Sequence, residues 1–70
     1  MAMNGEERKR ALGHGGAAEI CRRTGRSATH VSYVLRGERR DRKVEVAVAR
    51  KLGKPVDEVF PPLDAFVGAA

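Results

Sequence analysis

The stretch AAEICRRTGRSATHVSYVLRG, residues 17–37, carries two short apolar patterns on either side of one glycine. Cys21 stands four residues before Gly25, and Val31 and Val34 stand six and nine after it. Two helices that meet at a wide angle across a short turn require this arrangement. The small residue lets the second helix approach, the glycine makes the turn, and the two valines bury the inner face of the second helix. Ser27 suits the N-cap of that helix, because its hydroxyl can accept an orphan backbone N–H.

Working outward, glycine and proline divide the rest of the chain. Gly25, Gly37 and Gly53 each follow a stretch of helical character, as helix-ending glycines do. The spacing predicts helices over Asn4–Leu12, Ala17–Thr24, Ala28–Arg36, Lys43–Leu52 and Val56–Phe60. Ile20 with Cys21, then Val31, Val34 and Leu35, then Val44, Ala47, Val48 and Leu52 recur at three- and four-residue intervals and form the candidate core. Phe60 precedes Pro61, which biases it out of the α region and ends the last helix there. One segment admits a second reading. Val44, Val46 and Val48 alternate with Glu45 and Ala47, a strand pattern, so a basic hairpin at Arg39–Val48 competes with the helix.

Composition narrows the function classes. A chain of 70 residues makes one domain and buries only ~60% of its unfolded surface. With no Trp, one Tyr and two Phe, the core is built from Val, Leu, Ile and Ala, and a deep substrate cavity of ~300 Å³ is not expected. One cysteine cannot staple the fold internally, and no run approaches the ~18 apolar residues of a membrane span. The charged start MAMNGEERKR is unlike a signal peptide, so a cytoplasmic protein is expected. Charge is segregated. Residues 1–7 hold two acids and no base, residues 8–54 hold all 14 basic residues against four acids, and residues 55–70 hold three acids and no base. A basic middle of this kind suits a polyanion, though a solvated surface has the same composition.

These residues resemble the helix-turn-helix of the lambda-repressor and Cro-like (XRE-type) DNA-binding family. Arg36-Gly37-Glu38-Arg39-Arg40 resembles the family's basic loop after the recognition helix, and VAVARKLGKPVDEVF, residues 46–60, is similar to its fourth and fifth helices. The resemblance covers about residues 6–60, so residues 1–62 are expected to form the DNA-binding domain and 63–70 a tail. It implies an all-α bundle of about five short helices containing a helix-turn-helix. It places Ala17 at the start of the second helix, where many relatives have a phosphate-binding glutamine. It also matches Ala28, Thr29 and Tyr33 to positions that most often face base edges, with Ser32 beside them. Cys21 stands where alanine is usual, which a small buried thiol tolerates.

Read for its own chemistry, the helix expected over Ala28–Arg36 has no Gln, Asn or Lys in its first turns, so bidentate base contacts are missing there. Ala28 and the Thr29 methyl suit the thymine methyl group. His30, Ser32 and Tyr33 offer single hydrogen bonds to bases or phosphates, and Tyr33 is equally suited to packing. Arg26 and Arg36 flank the helix within reach of guanine or phosphate. Ser27, Arg39, Arg40, Arg42 and Lys43 are the candidate phosphate contacts. In the tail, Leu63, Phe66 and Val67 either fold over the core or form a dimer contact, since two half-sites one DNA turn apart must be held together.

The expectation is therefore a homodimeric transcriptional repressor of bacterial or phage type that reads double-stranded DNA in the major groove. No cofactor, metal or small-molecule effector is expected. His14, Cys21 and His30 lack the ligand number and spacing of a zinc site. Catalysis is not expected either, because no base–nucleophile spacing is present and Gly13, Gly15 and Gly16 lack a P-loop's G-K-[ST] ending. Two other readings stay open: a protein-interaction module of antitoxin or antirepressor type, and an architectural DNA binder that bends DNA with weak sequence preference.

Overall fold

The structure, a computed structural model, describes residues 2–61. Five helices follow one another: α1 (Gly5–Leu12), α2 (Gly16–Thr24), α3 (Ala28–Arg36), α4 (Arg42–Leu52) and α5 (Val56–Val59). No strand occurs among the described residues. The hairpin alternative at Arg39–Val48 is thereby overturned. A strand would have placed Val44, Val46 and Val48 on one face. Instead Val44, Val48 and Ala49 are buried together while Val46 sits half-exposed on the other side of α4.

Side-chain capping fixes where α1, α3 and α4 begin and shifts two of the expected starts, while α5 ends at Val59, one residue short of expectation, with Phe60 as its C-cap. Asn4 lies outside α1 as its N-cap: its Oδ1 accepts from the Glu7 N–H at 2.8 Å and Glu7 Oε1 accepts from the Asn4 N–H at 2.9 Å. Ser27 Oγ accepts from the His30 N–H at 3.2 Å and opens α3 as expected. Asp41 Oδ1 accepts from the Lys43 N–H at 3.1 Å, so α4 begins at Arg42 rather than Lys43. Between α2 and α3, Gly25 adopts φ 73° and ψ 12°, and its N–H returns to the Cys21 carbonyl at 2.8 Å. A side chain there would be strained, which is why the chain can reverse direction so sharply at this residue. α2 begins at Gly16, one residue ahead of Ala17, where the backbone passes so close to α1 that a Cβ would lie 2.8 Å from Leu12 Cβ.

The core comprises Leu12, Ile20, Val31, Val34, Leu35, Val44, Val48, Ala49, Val59 and Phe60, with Cys21, Ala47 and Leu52 packed against its edge. α2 lies on both α3 and α4, α1 leans on α3, and α5 covers α4. Two charged side chains are buried with these residues. Arg8 is 4% exposed: its Nε donates to the Val59 carbonyl at 2.6 Å and its Nη1 to the Leu35 carbonyl at 2.7 Å. The guanidinium also lies 4.4 Å above the Phe60 ring, so one side chain of α1 ties together the ends of α3 and α5. Burial and the neighbouring charge of Arg40 lower the Arg8 pKa, against the opposing pull of Glu45 and Glu7. Glu45, 1% exposed, is the second. No helix among the described residues is long and apolar enough to cross a membrane.

Candidate functional site

The most distinctive surface lies along α3 and at the start of α4. α3 turns Val31, Val34 and Leu35 inward, leaving Ala28, Thr29 and Arg36 exposed and Ser32 and Tyr33 half-exposed on its outer side. No carboxylate belongs to α3 itself. At its C-terminal end the Tyr33 ring lies under two guanidinium groups, with Arg36 at 5.0 Å and Arg39 at 5.6 Å from the ring centroid. The ring of Tyr33 thus stands half-exposed beneath a cation from each of these two neighbouring residues. Arg36 also pairs with Glu38 at 3.2 Å in an exposed ion pair.

At the N-terminal end, Ala28 and Ser32 meet Ala17 and Lys9 across a hollow of about 150 Å³ between α1, α2 and α3. On the other side, Asp41 gathers the residues around the turn. Its Oδ2 accepts from Arg26 Nε at 2.9 Å and lies 2.8 Å from His30 Nε2, which donates when it carries the ring proton. Partial burial pushes the Asp41 carboxyl up, but the hydrogen bonds from His30 and Arg26 and the Arg26 charge outweigh it, and the group titrates below the ordinary aspartate range. Beyond Asp41, an open groove of about 550 Å³ runs between the end of α2 and α4, bordered by Arg23, Arg42, Lys43 and Arg50 with Val46 and Ala47 between them. Arg42, Lys43 and Arg50 have no carboxylate partner among the described residues.

Of the residues singled out from the sequence, Arg26, Ala28, Thr29, His30, Ser32, Tyr33 and Arg36 thus fall on or beside one helix face. Arg39, Arg42 and Lys43 lie exposed beyond its ends. Ser27 caps the helix. Arg40 is placed differently from its expected phosphate-facing role. Its Nε and Nη2 donate to the two oxygens of Glu45 at 2.9 and 3.0 Å, and Nη2 reaches the Pro61 carbonyl at 2.6 Å. The side chain is 20% exposed and points into the fold, because the buried Glu45 carboxylate needs a cation. Leu63, Phe66 and Val67 lie outside the described residues.

Sequence reasoning missed Asp41, Arg8 and Glu45. For Asp41 a signal existed: an aspartate, a preferred N-cap residue, stands next to the start of the helical run. For Arg8, one arginine in a run of basic residues gave none. Among the described residues no group of three or more His, Cys, Asp or Glu is placed to hold a metal ion. Compared with known proteins, the chain matches no family model, no curated protein and no solved structure.

Proposed function

We propose that this is a sequence-specific DNA-binding regulator in which α2, the Gly25 turn and α3 act as a helix-turn-helix, with α3 in the major groove. The observation that carries the reading is the outer side of α3. No residue of the helix is acidic, and although Arg26 and Arg36 at its ends are paired with Asp41 and Glu38, Arg39, Arg42 and Lys43 beyond them have no carboxylate in ion-pair range among the described residues. Small and hydroxyl-bearing side chains at Ala28, Thr29 and Ser32 let the helix backbone approach base edges closely, and Arg26 and Arg36 stand at either end. Arg39, Arg42 and Lys43 then meet the flanking phosphates. Arg40 is left out of that set. Neutralising about three phosphates per protomer contributes about −2.7 per protomer to the log–log salt slope.

The regulatory reading is repression by occupancy: a homodimer covers two half-sites about one DNA turn apart and excludes polymerase from a promoter. A second reading draws on the same small side chains. With Ala28, Thr29 and Ser32 making few directional contacts, much of the affinity comes from backbone and DNA shape, as in an architectural protein that bends its site.

Fluorescence anisotropy against duplexes selected from a random pool, and against an unselected duplex, separates these readings. A selected palindrome bound at least ~10³-fold more tightly than random DNA supports the dimeric regulator. Equal and steeply salt-dependent binding supports the architectural protein. No binding to either duplex near physiological salt refutes both.

A further inference from the structure

We infer that Asp41 is a positioning residue that presents Arg26 to a guanine, making one G·C pair in each half-site a fixed point of recognition. The inference rests on the DNA-binding reading above and adds to it a second residue and a base. Arg26 immediately precedes Ser27, the N-cap of α3, so it stands at the end of the helix that enters the groove. A long side chain there samples many rotamers unless something holds it. Asp41 does so through Oδ2, which accepts from Arg26 Nε at 2.9 Å.

The anchor is itself fixed by two further contacts. Oδ1 caps α4 through the Lys43 N–H at 3.1 Å, and Oδ2 also meets His30 Nε2 at 2.8 Å. The Asp41 side chain is 14% exposed, whereas Arg26 is 43% exposed. The carboxylate is thus covered and the guanidinium presented. With Nε committed to Asp41, the outer edge of the guanidinium remains. No hydrogen bond among the described residues uses Arg26 Nη1 or Nη2. That pair of donors matches the two acceptors of guanine, O6 and N7. It would also match a phosphate, but the adjoining carboxylate offsets the positive charge that draws arginine to a polyanion. A held, partly neutralised fork favours a neutral base edge of fixed geometry over the backbone.

Arg36 provides the internal contrast. Its Nε also faces a carboxylate, but Glu38 is 54% exposed, the separation is 3.2 Å, and no hydrogen bond among the described residues fixes the Glu38 side chain. Arg36 is therefore not held as Arg26 is, and the same selectivity is not assigned to it.

The test uses the full chain and a duplex selected by the wild-type protein, with every base pair of one half-site replaced in turn and affinities read by anisotropy. In the wild type, replacing one particular G·C pair costs ~10-fold or more. Arg26→Lys abolishes the preference at that pair, because an ammonium cannot supply the fork. Asp41→Asn keeps a good N-cap for α4 and still unfolds cooperatively, at a somewhat lower temperature than the wild type because the charge opposite Arg26 is gone, but it weakens the guanine preference several-fold at that same pair and leaves the ranking at the other pairs unchanged. The inference is overturned if Asp41→Asn changes affinity for all duplexes by one common factor, or if Arg26→Lys spares the preference at every pair. A wild-type protein that binds no duplex overturns the DNA-binding reading itself and this inference with it, before any variant is made.

Discussion

Replacing Arg40 with alanine separates a cation that holds the fold from one that holds DNA. Arg40 donates two hydrogen bonds to a carboxylate that is itself 1% exposed, and a third to the Pro61 carbonyl. In Arg40→Ala the Glu45 carboxylate keeps, among the described residues, the hydrogen bond from the Asp41 N–H at 3.1 Å. Removing one partner of a buried ion pair costs ~3–5 kcal/mol, because the other charge stays desolvated. The partial exposure of Arg40 and the surviving N–H bring the loss to or below the low end of that range, at about 2–3 kcal/mol. For a chain of 70 residues, whose total stability is ~3.5–10 kcal/mol, that is a large share. At ~4–8 °C per kcal/mol, the melting temperature falls by about 10–20 °C. Thermal unfolding followed by far-UV circular dichroism reads this directly. The double variant Arg40→Met with Glu45→Leu, which removes both charges, recovers much of the loss. A phosphate-facing Arg40 gives the opposite pattern: stability within ~0.5 kcal/mol and a salt slope shallower by about 0.9. That second pattern would refute the internal role argued for Arg40.

Three further outcomes are expected. Gly16→Ala sets a Cβ 2.8 Å from Leu12 Cβ, which belongs to a buried side chain of α1, so urea denaturation should show a loss of ~1–3 kcal/mol. A variant as stable as the wild type would mean that α1 and α2 can part without cost. Ser27→Ala removes the hydroxyl that accepts from the His30 N–H, and should cost ~1 kcal/mol in the same assay. Acid should also destabilise the protein in a defined window. The Asp41 carboxyl lies low for the reasons given above, and that of Glu19 lies low chiefly through its hydrogen bond from Lys51. A depressed folded-state pKa stabilises above the unfolded value, about 3.9 for Asp and 4.3 for Glu, and this contribution is lost as pH falls through the lower folded values. The urea midpoint should therefore drop below about pH 4, and drop less in Asp41→Asn. Superimposable profiles for the two proteins would show that Asp41 contributes nothing of the kind.

The helices were legible in the sequence because local rules agreed with one another. Glycines closed α2, α3 and α4 where the apolar period stopped, and Ser27 opened α3. The valine alternation at Val44, Val46 and Val48 was ambiguous from its own residues alone. It resolves only when α2 and α5 cover one side of α4, which leaves Val46 outside. Most of the candidate surface was legible for a related reason: a helix that buries Val31, Val34 and Leu35 must expose Ala28, Thr29, Ser32 and Arg36. Arg8, Arg40 and Glu45 were not legible, because residue type says nothing about which of many arginines meets a buried acid. Their roles arise from contacts between residues far apart in the chain, such as Arg8 with Val59 and Arg40 with Pro61.

The same contacts change what the basic composition means. All 14 cations fall between residues 8 and 54, but not all of them face outward as free charge. Arg8 is spent on backbone carbonyls, Arg40 on Glu45, Arg23 and Lys51 on Glu19, Arg26 on Asp41, and Arg36 on Glu38. Lys9, Arg10, Arg22, Arg39, Arg42, Lys43, Arg50 and Lys54 have no carboxylate in ion-pair range among the described residues. The salt dependence of binding should follow this second group, since releasing a counterion requires a cation that is not already neutralised. Selectivity should follow Arg26, the member of the first group that is both exposed and held by a fixed carboxylate. A carboxylate that holds Arg26 removes charge from the encounter with any DNA while fixing the direction in which its donors point. For a chain with no Gln, Asn or Lys on α3, a held arginine beside that helix is the strongest available means of distinguishing one base pair from another.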